Sequence, residues 1–281
     1  MHGYVLRTSW VASALAMVLA LGTPVVASVS GDTGGSPEVP SARALTAPFT
    51  DRGRELRPLT VAPDRRAGHD AIRRHRARVA SEELLVRIPA AMTVRTRPSA
   101  GAAVAGTMPA GSKYYGVPIA AWVEETARHG RWGRVEIPYV WPRRDGWIPL
   151  RGLTRSTTHV SAEVDLSRHR VTVTKFGRTL FGLRAATGAS VSPTPPGEYF
   201  VTDRIPFSAG SPLGSFAFGI SGIQPHLPAG WSGGNQLAIH GTNDPSSIGT
   251  SASAGCVRVS ERGIDRLMPL LQLGTPVIVH R

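Results

Sequence analysis

The residues best suited to chemistry lie near the carboxyl-terminal end of the chain. Cys256 is the only cysteine among the 281 residues, and His240 precedes it by sixteen positions. A thiol attacks an acyl carbon as its thiolate, and a nearby imidazole can take the proton and later return it to a leaving amine. The two residues are therefore of the types needed for a cysteine nucleophile and its base. A core cysteine beside an ordinary strand-end histidine would account for the same pair, so the pair alone does not decide.

The neighbours of this pair add groups that acyl transfer needs. His240 ends an apolar run, so a strand would hold it rigidly. Gly255 directly precedes the cysteine and lets the backbone approach a substrate closely. The backbone N–H groups from Gly255 to Val257 could stabilise a developing oxyanion. Arg258 could hold a substrate carboxylate or support the loop.

The elements that must position these residues are predicted to be mostly strands. Within residues 158–281, β-rich runs bounded by turn residues predict strands at 163–166, 170–174, 179–188, 198–203, 236–240 and 276–280. One helix is expected at 260–271, with Ser260 as its cap and an apolar stripe at helical spacing. The sequence therefore predicts a β-sandwich with one or two short helices, in which His240 closes a strand.

A smaller β-rich module is predicted at residues 82–153. Short strand-like runs lie at 84–88, 92–95, 112–116, 132–137 and 146–149, a spacing that suits a small five-stranded barrel. We expect Trp132 and Trp147 to fill its core, whereas Tyr139 and Trp141, in a proline-flanked loop, are surface candidates for contact with a sugar or a peptide. The phrases at 93–98 and 132–148 resemble bacterial SH3-like domains.

The amino-terminal part of the chain is predicted to be an export signal and a tether. Residues 1–30 have the apolar run and small residues of a signal peptide, and residues 31–81 have the composition of a disordered Pro/Gly/Arg-rich linker. We therefore expect a secreted, cell-wall-associated protein, with a membrane tether only if the leader stays uncleaved. The net charge of +13 is spread along the chain, and no recognition motif accompanies it, so no nucleic-acid partner is expected.

The whole phrase around the cysteine resembles the signature of L,D-transpeptidases, the YkuD-type catalytic domain. His-Gly-Thr at 240–242 is followed after a spacer by Ser-Ala-Gly-Cys-Val-Arg at 253–258. Upstream, Thr-Gly at 187–188 and Thr-Pro-Pro-Gly-Glu-Tyr at 194–199 also fit that family. The resemblance covers most of residues 158–281, and it implies a mostly β fold in which an SH3-like barrel precedes a YkuD-type sandwich.

The resemblance also implies a reaction. Enzymes of this family act outside the cytoplasm on peptidoglycan, with one stem peptide as donor and another as acceptor. The cysteine attacks the carbonyl between an L-centre and the terminal D-Ala of a tetrapeptide stem, D-Ala leaves, and a thioester forms. A side-chain amine of a second stem resolves the thioester and gives a 3→3 cross-link in the cell wall.

Carried over by position, the resemblance makes Cys256 the nucleophile and His240 the base and later the acid. The backbone carbonyl of Gly241 would hold the imidazole. Three further positions would bind substrate or shape the pocket: Arg258, Ser253 and Gly255. Many family members have a histidine where this chain has Ala254, so no second imidazole is expected, and Asp244 is expected to cap a loop with Pro245. No metal and no other cofactor is expected.

Two other functions remain open at this point. An L,D-carboxypeptidase would form the same thioester and pass it to water. A wall-binding protein without catalysis would rely on the aromatic residues of the amino-terminal module and would leave the cysteine inert. Either protein, like the transpeptidase, is expected to be a monomer.

Overall fold

A computed structural model of the protein describes residues 82–281, so the predicted signal peptide and linker lie outside the described residues. This part of the chain holds seventeen strands, one α-helix and one short 3-10 helix, as the mostly β prediction requires. None of its helices is long and apolar enough to cross a lipid bilayer.

The amino-terminal module contains eight strands: β1 (Glu83–Arg87), β2 (Met92–Arg95), β3 (Val104–Met108), β4 (Ala120–Val123), β5 (Glu125–Ala127), β6 (Trp132–Ile137), β7 (Arg144–Pro149) and β8 (Arg155–Thr158). They form a three-stranded sheet in the order β4-β1-β8 and a five-stranded sheet in the order β3-β2-β7-β6-β5. All the pairings in both sheets are antiparallel. The SH3-like assignment of this module stays a prediction.

One predicted strand of this module, at 112–116, is wrong. The segment is a turn in which the Gly116 N–H donates to the Ser112 carbonyl at 3.1 Å, and Gly116 has φ +62°. A single bridge between Gly111 and Pro118 closes the turn. The turn leaves Tyr114 and Tyr115 on the surface.

The core of this module is built around Trp122, not around the predicted tryptophans. Trp122 is fully buried. Trp132 and Trp147 are only half-buried, because Gly133, Val135 and Ile148 occupy the inward positions of the same two strands. Side chains alternate between the two faces of a strand, so the tryptophans must lie on the other face.

The carboxyl-terminal module contains nine strands: β9 (Val160–Asp165), β10 (Arg170–Lys175), β11 (Arg178–Gly188), β12 (Gly197–Pro206), β13 (Phe216–Ile223), β14 (Gln236–His240), β15 (Ser251–Ser253), β16 (Val257–Val259) and β17 (Pro276–His280). Their order is β10-β9-β17-β12-β13-β14-β16-β11-β15, and β10 also pairs with β11. Instead of the two separate layers of the predicted β-sandwich, these strands form one continuous sheet, which closes on itself around one apolar core.

The α-helix α1 (Glu261–Leu267) is shorter than predicted. Ser260 caps it, with its hydroxyl accepting a hydrogen bond from the Gly263 N–H at 3.2 Å. Pro269 has no N–H to donate and its ring clashes with a helical turn before it, so the regular helix ends at Leu267 rather than at 271. Ile264 and Leu267 are buried and fix α1 against the sheet.

The two modules share both core and hydrogen bonds. Phe200 and Ile278 of the carboxyl-terminal module lie in the same apolar cluster as Trp122. The Ser221 hydroxyl donates to the Glu136 carboxylate at 2.5 Å, and the Tyr139 N–H donates to the Ser221 carbonyl at 2.7 Å. Burial raises the pKa of Glu136 to about 8.

Candidate active site

The parallel pairing of β14 with β16 brings the predicted catalytic residues together. Ile239 is in register with Val257, and His240 with Arg258. Ile239 and Val257 both point into the core. Because side chains alternate along a strand, His240 and Arg258 lie on the opposite face. Cys256 directly precedes β16 and, two residues before Arg258, lies on the same side by this alternation, about 7 Å from the level of His240.

His240 is held as a neutral base. Its Nδ1 lies 2.6 Å from the backbone carbonyl of Gly241. A carbonyl oxygen only accepts hydrogen bonds, so Nδ1 carries the proton and Nε2 keeps the lone pair. Burial lowers the pKa of His240 to about 4, even though the Gly241 carbonyl favours the protonated ring. The imidazole is therefore uncharged at neutral pH.

Cys256 is a protonated thiol in this arrangement. Its Sγ lies 3.9 Å from the carbonyl oxygen of Gln236, the first residue of β14, and within residues 82–281 it makes no hydrogen bond to His240. Burial raises the pKa of the thiol, against the opposing effects of the Ala238 backbone and the Arg258 cation. The resting pair is thus a neutral thiol and a neutral imidazole, not a thiolate and an imidazolium.

The loop before the sulfur has a conformation that glycine favours. Gly255 has φ +120°, and a side chain there would meet the amide of Gln224. The Gly255 N–H donates to the Ser253 hydroxyl at 3.1 Å, and that hydroxyl donates to the Cys256 carbonyl at 2.5 Å. Ser253 therefore shapes the loop, and the Gly255 N–H is already used within it.

Three buried residues that the sequence analysis did not single out as site residues fix this loop from outside. The Thr194 hydroxyl donates to the Gly255 carbonyl at 2.7 Å and accepts from the Gly188 N–H at 2.8 Å. The Ala254 carbonyl accepts from the Ser192 hydroxyl at 2.8 Å and from the Gln224 amide at 3.4 Å. The Thr-Pro-Pro-Gly stretch carried a signal for Thr194, but no local pattern marks Ser192 or Gln224.

The histidine side of the site is held by the first residue of α1. The Glu261 carboxylate accepts from the Thr242 N–H and from the Ser215 N–H, each at 3.0 Å. Partial burial raises the pKa of Glu261, but these hydrogen bonds and the neighbouring His240 lower it by more than burial raises it. The pKa of Glu261 therefore lies below its ordinary value. Glu261 therefore fastens the turn after His240 as an ionised group.

Arg258 brings an uncommitted positive charge to the site. Its Nε is buried, and within residues 82–281 it has no hydrogen-bond partner. The same part of the chain holds no ion pair to this guanidinium and no cluster of three or more potential metal ligands. The arrangement can therefore attract an anionic group beside a nucleophile and a base.

A comparison with protein families bears on this arrangement. Residues 159–279 match the YkuD model, the L,D-transpeptidase catalytic domain. This YkuD-matched segment contains every predicted site residue and all the residues that hold them.

Individual relatives share about a third or less of their aligned residues with this chain. The YkuD protein of Bacillus subtilis (strain 168), an L,D-transpeptidase by name, is 28% identical over 118 residues, which are 42% of this chain and 64% of the relative. The Bacillus licheniformis protein of the same name is 34% identical over 94 residues, 34% of this chain and 49% of the relative. This chain thus spans less than two thirds of either relative. An L,D-transpeptidase structure from Mycobacterium smegmatis aligns with a TM-score of 0.38 at 17% identity, covering 72% of this chain and all of that one (100%).

Two positions of the YkuD-matched segment need separate description. Ala254 contributes its carbonyl to the loop bonds described above and offers no second imidazole. Asp244 is exposed at the start of the 3-10 helix Pro245–Ser247, and its carboxylate accepts from the Ser246 hydroxyl at 2.5 Å. Asp244 occupies the cap position before Pro245, as the sequence predicted, but its side chain makes no capping hydrogen bond to the backbone of this helix.

Proposed function

We propose that this protein is an extracytoplasmic L,D-transpeptidase that cross-links peptidoglycan stem peptides through a thioester on Cys256. The observation that carries the proposal is the β14–β16 register, which puts Cys256 and His240 on one face within a segment that matches the YkuD family model. The family match supports the reaction class, and the geometry supports the assignment of roles.

The first half-reaction forms the thioester. The thiol rotates about χ1 from the Gln236 carbonyl toward Nε2 of His240, which takes its proton as the sulfur attacks the carbonyl before the terminal D-Ala. The Gly241 carbonyl holds Nδ1–H throughout and stabilises the imidazolium that forms. Because the Gly255 N–H is used within the loop, the Cys256 N–H is the donor nearest to the oxyanion.

Breakdown of the tetrahedral intermediate completes the first half-reaction, and the second half-reaction then frees the enzyme. The imidazolium gives its proton to the departing D-Ala amine, which breaks the C–N bond and leaves the acyl group on sulfur. A side-chain amine of an acceptor stem then attacks the thioester, and its proton returns through His240 to the thiol. The product is a 3→3 cross-link. Arg258 pairs with the carboxylate of the D-Ala that leaves, which orients the donor.

Product analysis tests the proposal. The wild-type protein, incubated with a tetrapeptide donor and an acceptor stem, should release D-Ala and give a cross-linked dimer. Cys256→Ala should fold and release none, and Cys256→Ser is the matched variant that keeps a weaker nucleophile. Release of D-Ala with tripeptide as the only product would establish the carboxypeptidase instead. Full release by Cys256→Ala would overturn the proposed nucleophile.

A further inference from the structure

Exposed aromatic side chains gather where the turn of the amino-terminal module meets the segment before β14. Tyr114 is 49% exposed, Tyr115 is 53% exposed and Trp231 is 38% exposed. Large aromatic side chains are usually buried, and an exposed group of them marks an interaction surface. We call Tyr114, Tyr115 and Trp231, with Asn235, the aromatic platform.

Hydrogen bonds make the aromatic platform a built surface. The Tyr114 hydroxyl donates to Oδ1 of Asn235 at 3.2 Å and accepts from the Asn235 N–H at 3.3 Å. Lys113 Nζ donates to the same Oδ1 at 3.0 Å. The Trp231 indole N–H donates to the Gly234 carbonyl at 2.7 Å. The two modules thus fix the Tyr114 ring together, and the Trp231 ring is held by its own loop.

Two glycines let the backbone approach these aromatic side chains closely. A side chain at Gly234 would come within 3.0 Å of the Tyr114 hydroxyl, and one at Gly233 within 2.9 Å of the Trp231 ring. Because both positions lack a side chain, Tyr114 and Trp231 flank a bare backbone strip. Lys113 Nζ lies 5.2 Å from the centre of the Tyr114 ring. A flat ligand that packs an apolar C–H face on the exposed parts of Tyr114 and Trp231 therefore also meets this ammonium.

The aromatic platform adjoins the proposed catalytic sulfur. Asn235 directly precedes Gln236, whose carbonyl lies 3.9 Å from Sγ of Cys256. Adding one residue of backbone and the Asn235 side chain places the Tyr114 hydroxyl no more than about 15 Å from the sulfur. In the proposed donor, three stem residues separate the sugar from the attacked carbonyl, and they span about 10 Å when extended. The platform is therefore close enough to the sulfur for a sugar on the donor stem to reach it.

We infer that the aromatic platform binds the glycan strand that carries the donor stem. This inference rests on the proposed function for the identity of the stem, but not for the binding surface itself. A pyranose ring offers a C–H face to the aromatic rings, and its hydroxyl and acetamido groups suit the mixture of an ammonium and an amide. The stem peptide itself offers no such flat C–H face.

The first test measures binding without catalysis. The full chain carrying Cys256→Ala is titrated with peptide-free chitotetraose by calorimetry and by the NMR shift of the indole N–H. We expect saturable binding, weakened about three- to tenfold by Trp231→Ala and by Tyr114→Ala. Tyr114→Phe, which keeps the ring but loses its hydrogen bonds to Asn235, should weaken binding less than Tyr114→Ala. Phe176→Ala, at an exposed aromatic of the β10–β11 turn, is the matched control and should bind like the parent. Absence of saturable binding, equal binding by all variants, or displacement of chitotetraose by a free stem tripeptide would overturn the inference.

The second test separates this inference from the proposed function. In the active protein, kcat/KM for a disaccharide-linked tetrapeptide should exceed that for the free tetrapeptide, and Trp231→Ala should bring the ratio toward one. Equal kcat/KM values for the two donors in the wild type would contradict the inference even if D-Ala is released. Chitotetraose binding in a protein that releases no D-Ala from either donor would support the glycan site and refute only the proposed reaction.

Discussion

Removing the Thr194 hydroxyl should destabilise the loop that carries Cys256 strongly, although the change in side-chain volume is small. Its buried hydroxyl connects the Gly188 N–H to the Gly255 carbonyl at 2.8 and 2.7 Å. Thr194→Val keeps the volume and removes the hydroxyl, so both backbone groups lose their partner in a buried place. Each such group costs about 1 to 3 kcal/mol, so the pair gives roughly 2 to 6 kcal/mol of lost stability.

Thr194→Ser is the matched control, because it keeps the hydroxyl and removes one methyl group, at a cost of about 1 kcal/mol. Denaturant unfolding of both variants, followed by circular dichroism, gives the two free energies, and the rate at which Cys256 reacts with iodoacetamide reports the loop directly. We expect Thr194→Val to lose at least twice as much stability as Thr194→Ser and to show an altered alkylation rate. Equal losses of stability with unchanged alkylation would refute the assignment of Thr194 as the support of the loop.

Three further predictions follow from the charges of the structure. Because only the neutral imidazole of His240 accepts a proton and its pKa is lowered to about 4, kcat/KM should stay level as the pH falls to 5 and drop near 4; an acid limb near 6.5 would contradict the buried base. The folded-state pKa of Glu136 is raised from 4.5 to about 8, so the stability that its protonated form contributes is fully present below pH 4.5 and is lost as the pH rises through 8. Glu136→Gln should flatten this decline of the unfolding free energy in urea unfolding measured from pH 5 to 9, and an unchanged slope would argue against the raised pKa. Glu261→Gln leaves one of two backbone N–H groups without its carboxylate acceptor, so D-Ala release should fall several-fold while Glu261→Asp recovers part of it; wild-type rates in Glu261→Gln would show that the clamp does not position His240.

Local pattern in the sequence was enough for β14, which carries His240, but the short strand β16 that follows Cys256 was not predicted. β14 and β17 begin and end where alternation and turn residues predict, and the apolar run before His240 fixed its place at a strand end. β13 was missed because its glycines interrupt the pattern and both of its faces are buried, which removes the period of two on which the prediction depends.

Long-range partners could not be read from the sequence. Ser192 and Gln224 reach the cysteine loop from 62 and 30 residues away, and a single serine or glutamine has no local signature for such a contact. The choice of Trp122 over Trp132 for the core depends on which face of each strand turns inward, and a one-residue difference in that choice exposes a side chain. The packing of Phe200 and Ile278 into the core of the amino-terminal module likewise depends on tertiary contacts that the local sequence does not show.

The measurement that tests the central claim most directly is the mass of the intact protein after brief exposure to a tetrapeptide stem without acceptor. We predict a covalent adduct equal to the tetrapeptide minus D-Ala, located on Cys256 by peptide mapping, sensitive to hydroxylamine as a thioester is, and lacking in Cys256→Ala. His240→Ala should form it far more slowly. Release of D-Ala without any adduct on the wild-type sulfur, or an adduct that maps to another residue, would contradict a thiol–imidazole acyl transfer at this site.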